Sequence, residues 1–242
     1  STDNTRNILE KFKHKWRENQ LTIVEGPRQG VTKNFMSLIC NKAFEADYYA
    51  FCDQDDVWEQ NKLLVAVTKL EENSIGQFKL YFSNLNLVDE NLESIGFKDF
   101  GKMNISFGGA LARHSAAGCT MVFNENLLRL AFDADFIKKD EFFPFGHDAW
   151  VYKVCLGVGG NVIFDSNSYI KYRRHNDNVT VLQHGFKKRI MTELKSFRKD
   201  RRYIKSSCAE IILREYSDLI PEDNFKLLRE ISVYNKSIFN TI

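Results

Sequence analysis

Two periodicities alternate through the first half of the chain, and that alternation constrains its fold more than any other feature. "LTIVEG" (Leu21 to Gly26) reads as a short strand, and "VTKNFMSLICNKAF" then sets Phe35, Leu38, Ile39 and Ala43 along one side of a helix. "DYYAFC" is a second strand and "EQNKLLVAVTKLEEN" a second helix. Strands separated by helices of this length pair in parallel through crossovers, which predicts an α/β sheet covered on both faces. "FKLYFSNLNLVDE" and "GCTMVFN" read as further strands, "ENLLRLAF" as a short helix, and "NVIFDS" with "YIKYRRH" as a late strand pair. Phe97 to Ala117, with Gly101, Gly108 and Gly109, is expected to be a long mobile loop. Ahead of all this, "STDNTRNILEKFKHKW" places Ile8, Leu9, Phe12 and Trp16 on one helical face, and the chain is expected to be helical after about Val181.

Against that frame one stretch stands out. "YYAFCDQDDVW" is an apolar run that ends in three carboxylates, Asp53, Asp55 and Asp56. In open α/β sheets ligands bind outside the carboxyl ends of the strands, which is where this cluster falls. Residues two apart in an extended segment point the same way, so Asp53 and Asp55 can share a target. Gathered carboxylates repel one another unless a cation joins them, and a hard divalent ion completed by phosphate oxygens would do so. The competing reading makes Asp55 or Asp56 an N-cap for the following helix. A third is an aspartate-nucleophile phosphohydrolase of the haloacid dehalogenase type, for which only Val57 and scattered lysines fit the later positions.

Two more clusters lie at element ends. "FFPFGHDAW" places Asp148 directly before an apolar helix, as a helix-end carboxylate or as a general base at a pocket edge. The aromatics around it (Phe142, Phe143, Phe145, Trp150) serve equally as a sugar platform or as core, and core is favoured for most of them. "YIKYRRH" carries Arg173, Arg174 and His175, suited to phosphate oxygens and, for His175, to a metal, or else a charged edge strand.

Net charge is only +2, and no aromatic-rich recognition motif accompanies the basic residues, which argues against nucleic acid as a partner. Charge is nonetheless regional: nine cations fall between Gln183 and Lys205, with Phe186, Ile190, Leu194 and Phe197 at helical spacing. Such a helix either packs its apolar stripe on the domain or lies on an anionic membrane, each cation near the surface contributing about 1 kcal/mol. Five widely spaced cysteines read as reduced, buried thiols of a cytoplasmic protein, and no run reaches the length of a membrane span.

Taken together, "DQDDVWEQNKL", "GCTMVFN", "FGHDAW" and "YRRHNDNV" occur in the order and spacing that resembles family 2 glycosyltransferases, particularly the bacterial rhamnosyltransferase-like branch. The resemblance runs from Ser1 to about Val181. It implies a GT-A fold, a Rossmann-like and mostly parallel sheet flanked by helices, over residues 1–181, with a helical extension over 182–242. It also implies inverting transfer from a nucleoside-diphosphate sugar, such as dTDP-rhamnose, to a glycan or lipid-linked glycan, with Mg2+ or Mn2+ as cofactor. Carried over by motif, Asp53 and Asp55, the DXD pair, and Asp56 hold metal and diphosphate, His175 is a further metal contact, and Asp148 is the base. Gly30, Asn34 and Gly118 lie near the nucleotide-sugar, and Arg173 and Arg174 near its phosphates. The family's opening strand, helix and strand have no counterpart before Ser1, which marks the chain as a fragment by this resemblance. Asn84 stands where relatives carry an acid. A location at the cytoplasmic face of the inner membrane would suit such an acceptor, and a sugar-nucleotide-binding remnant without catalysis is the non-enzymatic alternative.

Overall fold

The computed structural model describes residues 3–16, 20–41, 44–73, 75–112, 116–133, 137, 145–174 and 199–233. The chain divides into two compact units, Ser1–Phe44 and Glu45–Ile242.

The first unit contains α1 (Thr5–Lys13) and α2 (Val31–Ile39). Gly30 precedes α2 with φ of 92°, a left-handed value that glycine adopts without the Cβ penalty of other residues. Its carbonyl accepts from the Asn34 amide at 3.1 Å, the first bond of the helix. Leu21 to Gly26, expected as a strand, forms no ladder among the described residues. Strand propensity is realised only against a neighbouring strand, and none pairs with it among the described residues.

The second unit is built on β1 (Tyr48–Ala50), β2 (Val57–Trp58), α3 (Lys62–Glu72), β3 (Lys79–Val88), β4 (Ser94–Lys98), α4 (Phe107–Ala112), β5 (Val122–Asn124), α5 (Glu125–Phe132), α6 (His147–Gly157), β6 (Asn161–Arg173), α7 (Lys199–Tyr216) and α8 (Glu222–Val233). Its six-stranded sheet has the order β1-β5-β3-β6-β2, with β4 paired to β3. β3 and β6 pair in parallel, and β1 runs with them because each is antiparallel to β5 or parallel to β3. The α/β class and this parallel set are as expected, and the antiparallel β2, β4 and β5 complete a mixed sheet. The segment expected as loop from Phe97 supplies the end of β4 and then α4, because β4 returns as a hairpin against the carboxyl half of β3. The late strand pair is one long strand, β6, whose pairing with β3 shifts at Ser83/Asn84. Asp165 stabilises that irregularity by accepting from the Asn167 backbone N–H at 2.9 Å, from Tyr81 Oη at 3.1 Å and from Lys69 Nζ at 3.0 Å.

The core lies between α3 and the sheet, where Ala66, Leu70, Tyr81 and Val122 pack with Tyr48, Ala50 and Ile163. On the α6 side, Trp150 is buried, stacks on Phe145 and donates its indole N–H to the Ala131 carbonyl at 2.8 Å, so both aromatics are core. The final helices dock on this unit. Tyr216 donates to the Leu130 carbonyl at 3.1 Å, and Asn224 Nδ2 donates to the carbonyls of Leu156 and Gly157, each at 3.0 Å. The basic run from Gln183 falls largely outside the described residues, as does His175. No helix among the described residues is long and apolar enough to cross a membrane. None of the five cysteines forms a disulfide among the described residues, and Cys40 and Cys52 are exposed rather than buried.

Candidate active site

β1 and β2 occupy opposite ends of the strand order, and Phe51 to Asp56 connect them. The acidic segment, which turns at Gln54 and Asp55, therefore crosses on the side of the carboxyl ends of β3 and β6. This is the edge on which a parallel set presents its ligands.

The three carboxylates do not share one role. Asp53 lines a cleft of about 670 Å³ together with Gly118, Asp148 and Arg174. Burial, and after it the charges of Asp55 and Asp148, push its carboxyl above the ordinary range. Asp56 turns inward instead. Its Oδ1 accepts from the Arg173 backbone N–H at 3.1 Å, while Oδ2 is buried without a hydrogen-bond partner among the described residues. Burial raises Asp56 to about 6, the Arg173 N–H opposing the rise. Asp55 presents its carbonyl to Arg173 Nε at 3.0 Å. Neither aspartate caps α3, whose N-cap position is Asn61.

Arg173 accordingly clasps backbone, with Nε on Asp55 and a terminal nitrogen on the Glu90 carbonyl. Arg174, one residue on, lines the cleft. Consecutive residues at the end of an extended strand point to opposite sides, which separates the two.

Asp148 occupies the first turn of α6, whose N-cap position is Gly146, so its carboxylate is not the cap of that helix. Its Oδ2 accepts from the Gly118 N–H at 3.2 Å and its Oδ1 from the Ala149 N–H at 2.7 Å. Gly118 sits in a one-turn 3-10 helix, Gly118–Thr120, directly against it. A Cβ on Gly118 would lie 2.8 Å from Asp148 Cβ, and one on Gly146 would lie 2.6 Å from Asp148 Oδ1. Two glycines thus make a fitted seat for this side chain. The neighbouring His147 is buried with its ring edge-on to Phe51 at 4.6 Å, and burial holds its pKa below the ordinary value.

The fold therefore gathers Asp53, Gly118, Asp148 and Arg174, whose motifs lie far apart in the chain. Gly30 and Asn34 belong to the first unit, where they line a groove of about 590 Å³. The sequence reading missed Lys98, Lys102 and Tyr172, which line the cleft as well. Lys98 stands opposite Leu85 on β3, a placement set by hairpin register that no local motif signals. Cys119 was read only as one of the cysteines, yet it offers a sulfur within 4.8 Å of carboxylate oxygens of Asp53 and Asp56. The asparagine at 84, where an acid was the family expectation, is 2% exposed. It donates to the Ser166 carbonyl at 2.8 Å and accepts from the Phe100 N–H at 2.7 Å. An amide offers both functions where an ionised carboxylate would only accept, so this side chain ties the loop after β4 to β6.

Comparison with known proteins shows the family of the chain. The model of the family described as "Glycosyl transferase family 2" matches residues 1–129. The chain is 27% identical over 201 residues to the dTDP-rhamnosyl transferase RfbG of Shigella flexneri, covering 77% of this chain and 64% of that protein. The chain thus spans slightly less than two thirds of that relative's length. The mixed α/β unit is consistent with the GT-A fold of the family. A family match over more than half of the chain, on a fold that brings the motif residues to one cleft, places the chain in glycosyltransferase family 2.

Proposed function

We propose that the chain carries the site of an inverting transferase that moves a sugar from a nucleoside diphosphate, of the dTDP-rhamnose kind, to a hydroxyl of a glycan or lipid-linked glycan. The observation that carries this reading is that Asp148 and Asp53 face one cleft, Asp148 seated by two backbone N–H groups. In the reaction, the acceptor hydroxyl gives its proton to a carboxylate oxygen of Asp148. Its oxygen bonds to the anomeric carbon from the face opposite the leaving group. The bond from that carbon to the diphosphate oxygen breaks, and the electron pair leaves with the diphosphate. A single displacement of this kind inverts the anomeric centre and needs no covalent enzyme intermediate.

The donor set fits a hard divalent cation. Asp53, held above the ordinary range by burial and by its acidic neighbours, is a carboxylate whose charge such an ion would offset. Asp53 and Asp55 would hold Mg2+ or Mn2+, which would neutralise charge developing on the diphosphate. Asp56, one of whose carboxylate oxygens lies within 4.8 Å of one of Asp53, would support the ion while its other contact holds the loop to Arg173. Arg174 supplies a further positive charge in the cleft for phosphate oxygens, and Arg173 keeps the loop in place through its backbone contacts.

Replacing Asp148 with Asn keeps the shape of its seat and removes the base. General-base catalysis is worth roughly 10²- to 10⁴-fold, so turnover should fall by that factor while donor affinity, measured by calorimetry, stays as it was. Wild-type turnover in Asp148→Asn would overturn the assignment.

A further inference from the structure

Lys62 is the least expected buried residue of the second unit. It opens α3 and is 1% exposed, although its neighbours Leu63 and Leu64 are 45% and 70% exposed. Lysine is almost never fully buried without a compensating partner. A cation in the first turn of a helix also opposes the helix dipole. Yet Lys62 Nζ makes no hydrogen bond among the described residues. One face of the ammonium lies over the Trp58 ring, 3.8 Å from its centroid, which returns part of the cost of desolvation.

The other compensation comes from the acidic loop. Asp56 Oδ2 is buried and without a hydrogen-bond partner among the described residues, just as Lys62 Nζ is. Burial depresses the pKa of Lys62, to about 8, and Cys119, Cys52 and the charge of Asp56 oppose that fall. Lys62 Nζ and one oxygen of the Asp56 carboxylate are thus both buried without a hydrogen-bond partner among the described residues, and Asp56 stands two residues before Trp58, over whose ring the ammonium lies, while the loop's other acid, Asp53, faces the cleft. We infer that Lys62 is a positioning residue: its ammonium is a permanent counter-charge to Asp56, holding the acidic loop closed against β6 so that Asp53 stays presented to the cleft before any cation or diphosphate arrives. Without it, the mutual repulsion of Asp53, Asp55 and Asp56 acts to open the loop, and ligand binding has to close it again.

A purely spatial role for Lys62 predicts the opposite sign of effect. Exchanging a buried orphan charge for an apolar side chain of similar volume is commonly neutral or stabilising. The test is a double-mutant cycle of Lys62→Met and Asp56→Asn, read by thermal denaturation without added metal. Each single variant should lower Tm by roughly 4 °C or more, and the double variant should be more stable than the sum of the two losses predicts. A Lys62→Met protein at or above the wild-type Tm, or two losses that simply add, would overturn the inference. If Lys62→Met does not fold, Asp56→Asn alone decides the matter, because it should be destabilised by the stranded ammonium and a neutral or raised Tm would refute the role. A second readout is kinetic and rests on the transferase reading. In Lys62→Met the donor KM should rise on the order of tenfold, one conventional coupling energy, while kcat at saturating donor stays within about twofold. A fall in kcat with unchanged KM would exclude loop positioning. Absence of transfer in the wild type would refute the transferase reading, and the Tm cycle would still decide the role of Lys62.

Discussion

Gly118→Ala is the sharpest probe of the seat that holds Asp148. A Cβ at position 118 would lie 2.8 Å from Asp148 Cβ and 3.3 Å from its Oδ2. Carbon atoms at rest sit about 3.5–4.0 Å apart, so the new methyl is too close by about 0.7 Å or more. The atom it meets first is a Cβ, fixed by the backbone of α6, so no rotation of Asp148 relieves the contact. Either the 3-10 turn or the first turn of α6 has to move. Forced overpacking of this kind costs about 1–3 kcal/mol. For a chain of this size that is a fall in Tm of roughly 2–12 °C. Any such shift also lengthens the bond from the Gly118 N–H to Oδ2, already 3.2 Å. A displacement of about 1 Å at a catalytic group costs on the order of 10²-fold in rate. The assay is paired: denaturation for stability, and sugar transfer at saturating donor and acceptor for kcat. The expected result is a modest loss of Tm with a disproportionate loss of kcat. Wild-type kcat together with wild-type Tm would show that the seat is not needed, and would refute the geometric argument for Asp148 as base.

Two further expectations concern stability. Burial alone would raise the Asp165 carboxyl, but the Asn167 N–H, Lys69 and Tyr81 outweigh it and hold its pKa below the ordinary value. Its contribution is therefore complete above the unfolded-state pKa of about 4 and is lost as pH falls through the lower folded value. Lys69→Met should lower Tm at pH 7 and narrow its gap to the wild type on acidification toward pH 3, and a constant gap would refute the linkage. Gly159 has φ of +72°, and a Cβ there would lie 2.9 Å from Pro221 Cγ, at the start of the segment leading into α8. Gly159→Ala should cost roughly 1–2 kcal/mol from backbone conformation alone. An unchanged Tm would mean that α8 does not depend on this close approach.

Much of the architecture was legible because each segment carried its own period. α3, α5 and β3 follow from local apolar spacing, and all three lie where it placed them. Leu21 to Gly26 had equal local merit as a strand and formed none among the described residues, since ladder bonds need a partner that no local pattern guarantees. The sequence of β6 reads as two strands, "NVIFDS" and "YIKYRRH". In the fold the same residues form one strand with an irregularity, stabilised by Lys69 from α3 and Tyr81 from β3. Asn84 was read as a departure from the family and is a two-way amide bridge, which only its distant partners disclose.

For the site, the sequence by itself determined that acids stand at the ends of apolar elements, since burial of the preceding run forces the charge to the edge where solvent or ligand can reach it. It could not assign those acids separate tasks. Asp53, Asp55 and Asp56 lie in an irregular turn, which has no period from which side-chain direction can be read. Their surroundings come from groups far along the chain: the Arg173 backbone, 117 residues from Asp56, holds Asp56 inward, and Asp53 faces a cleft that Asp148 also lines. Lys62 shows the same limit from the other side, a lysine that local composition assigns to water and that tertiary packing buries over the Trp58 ring.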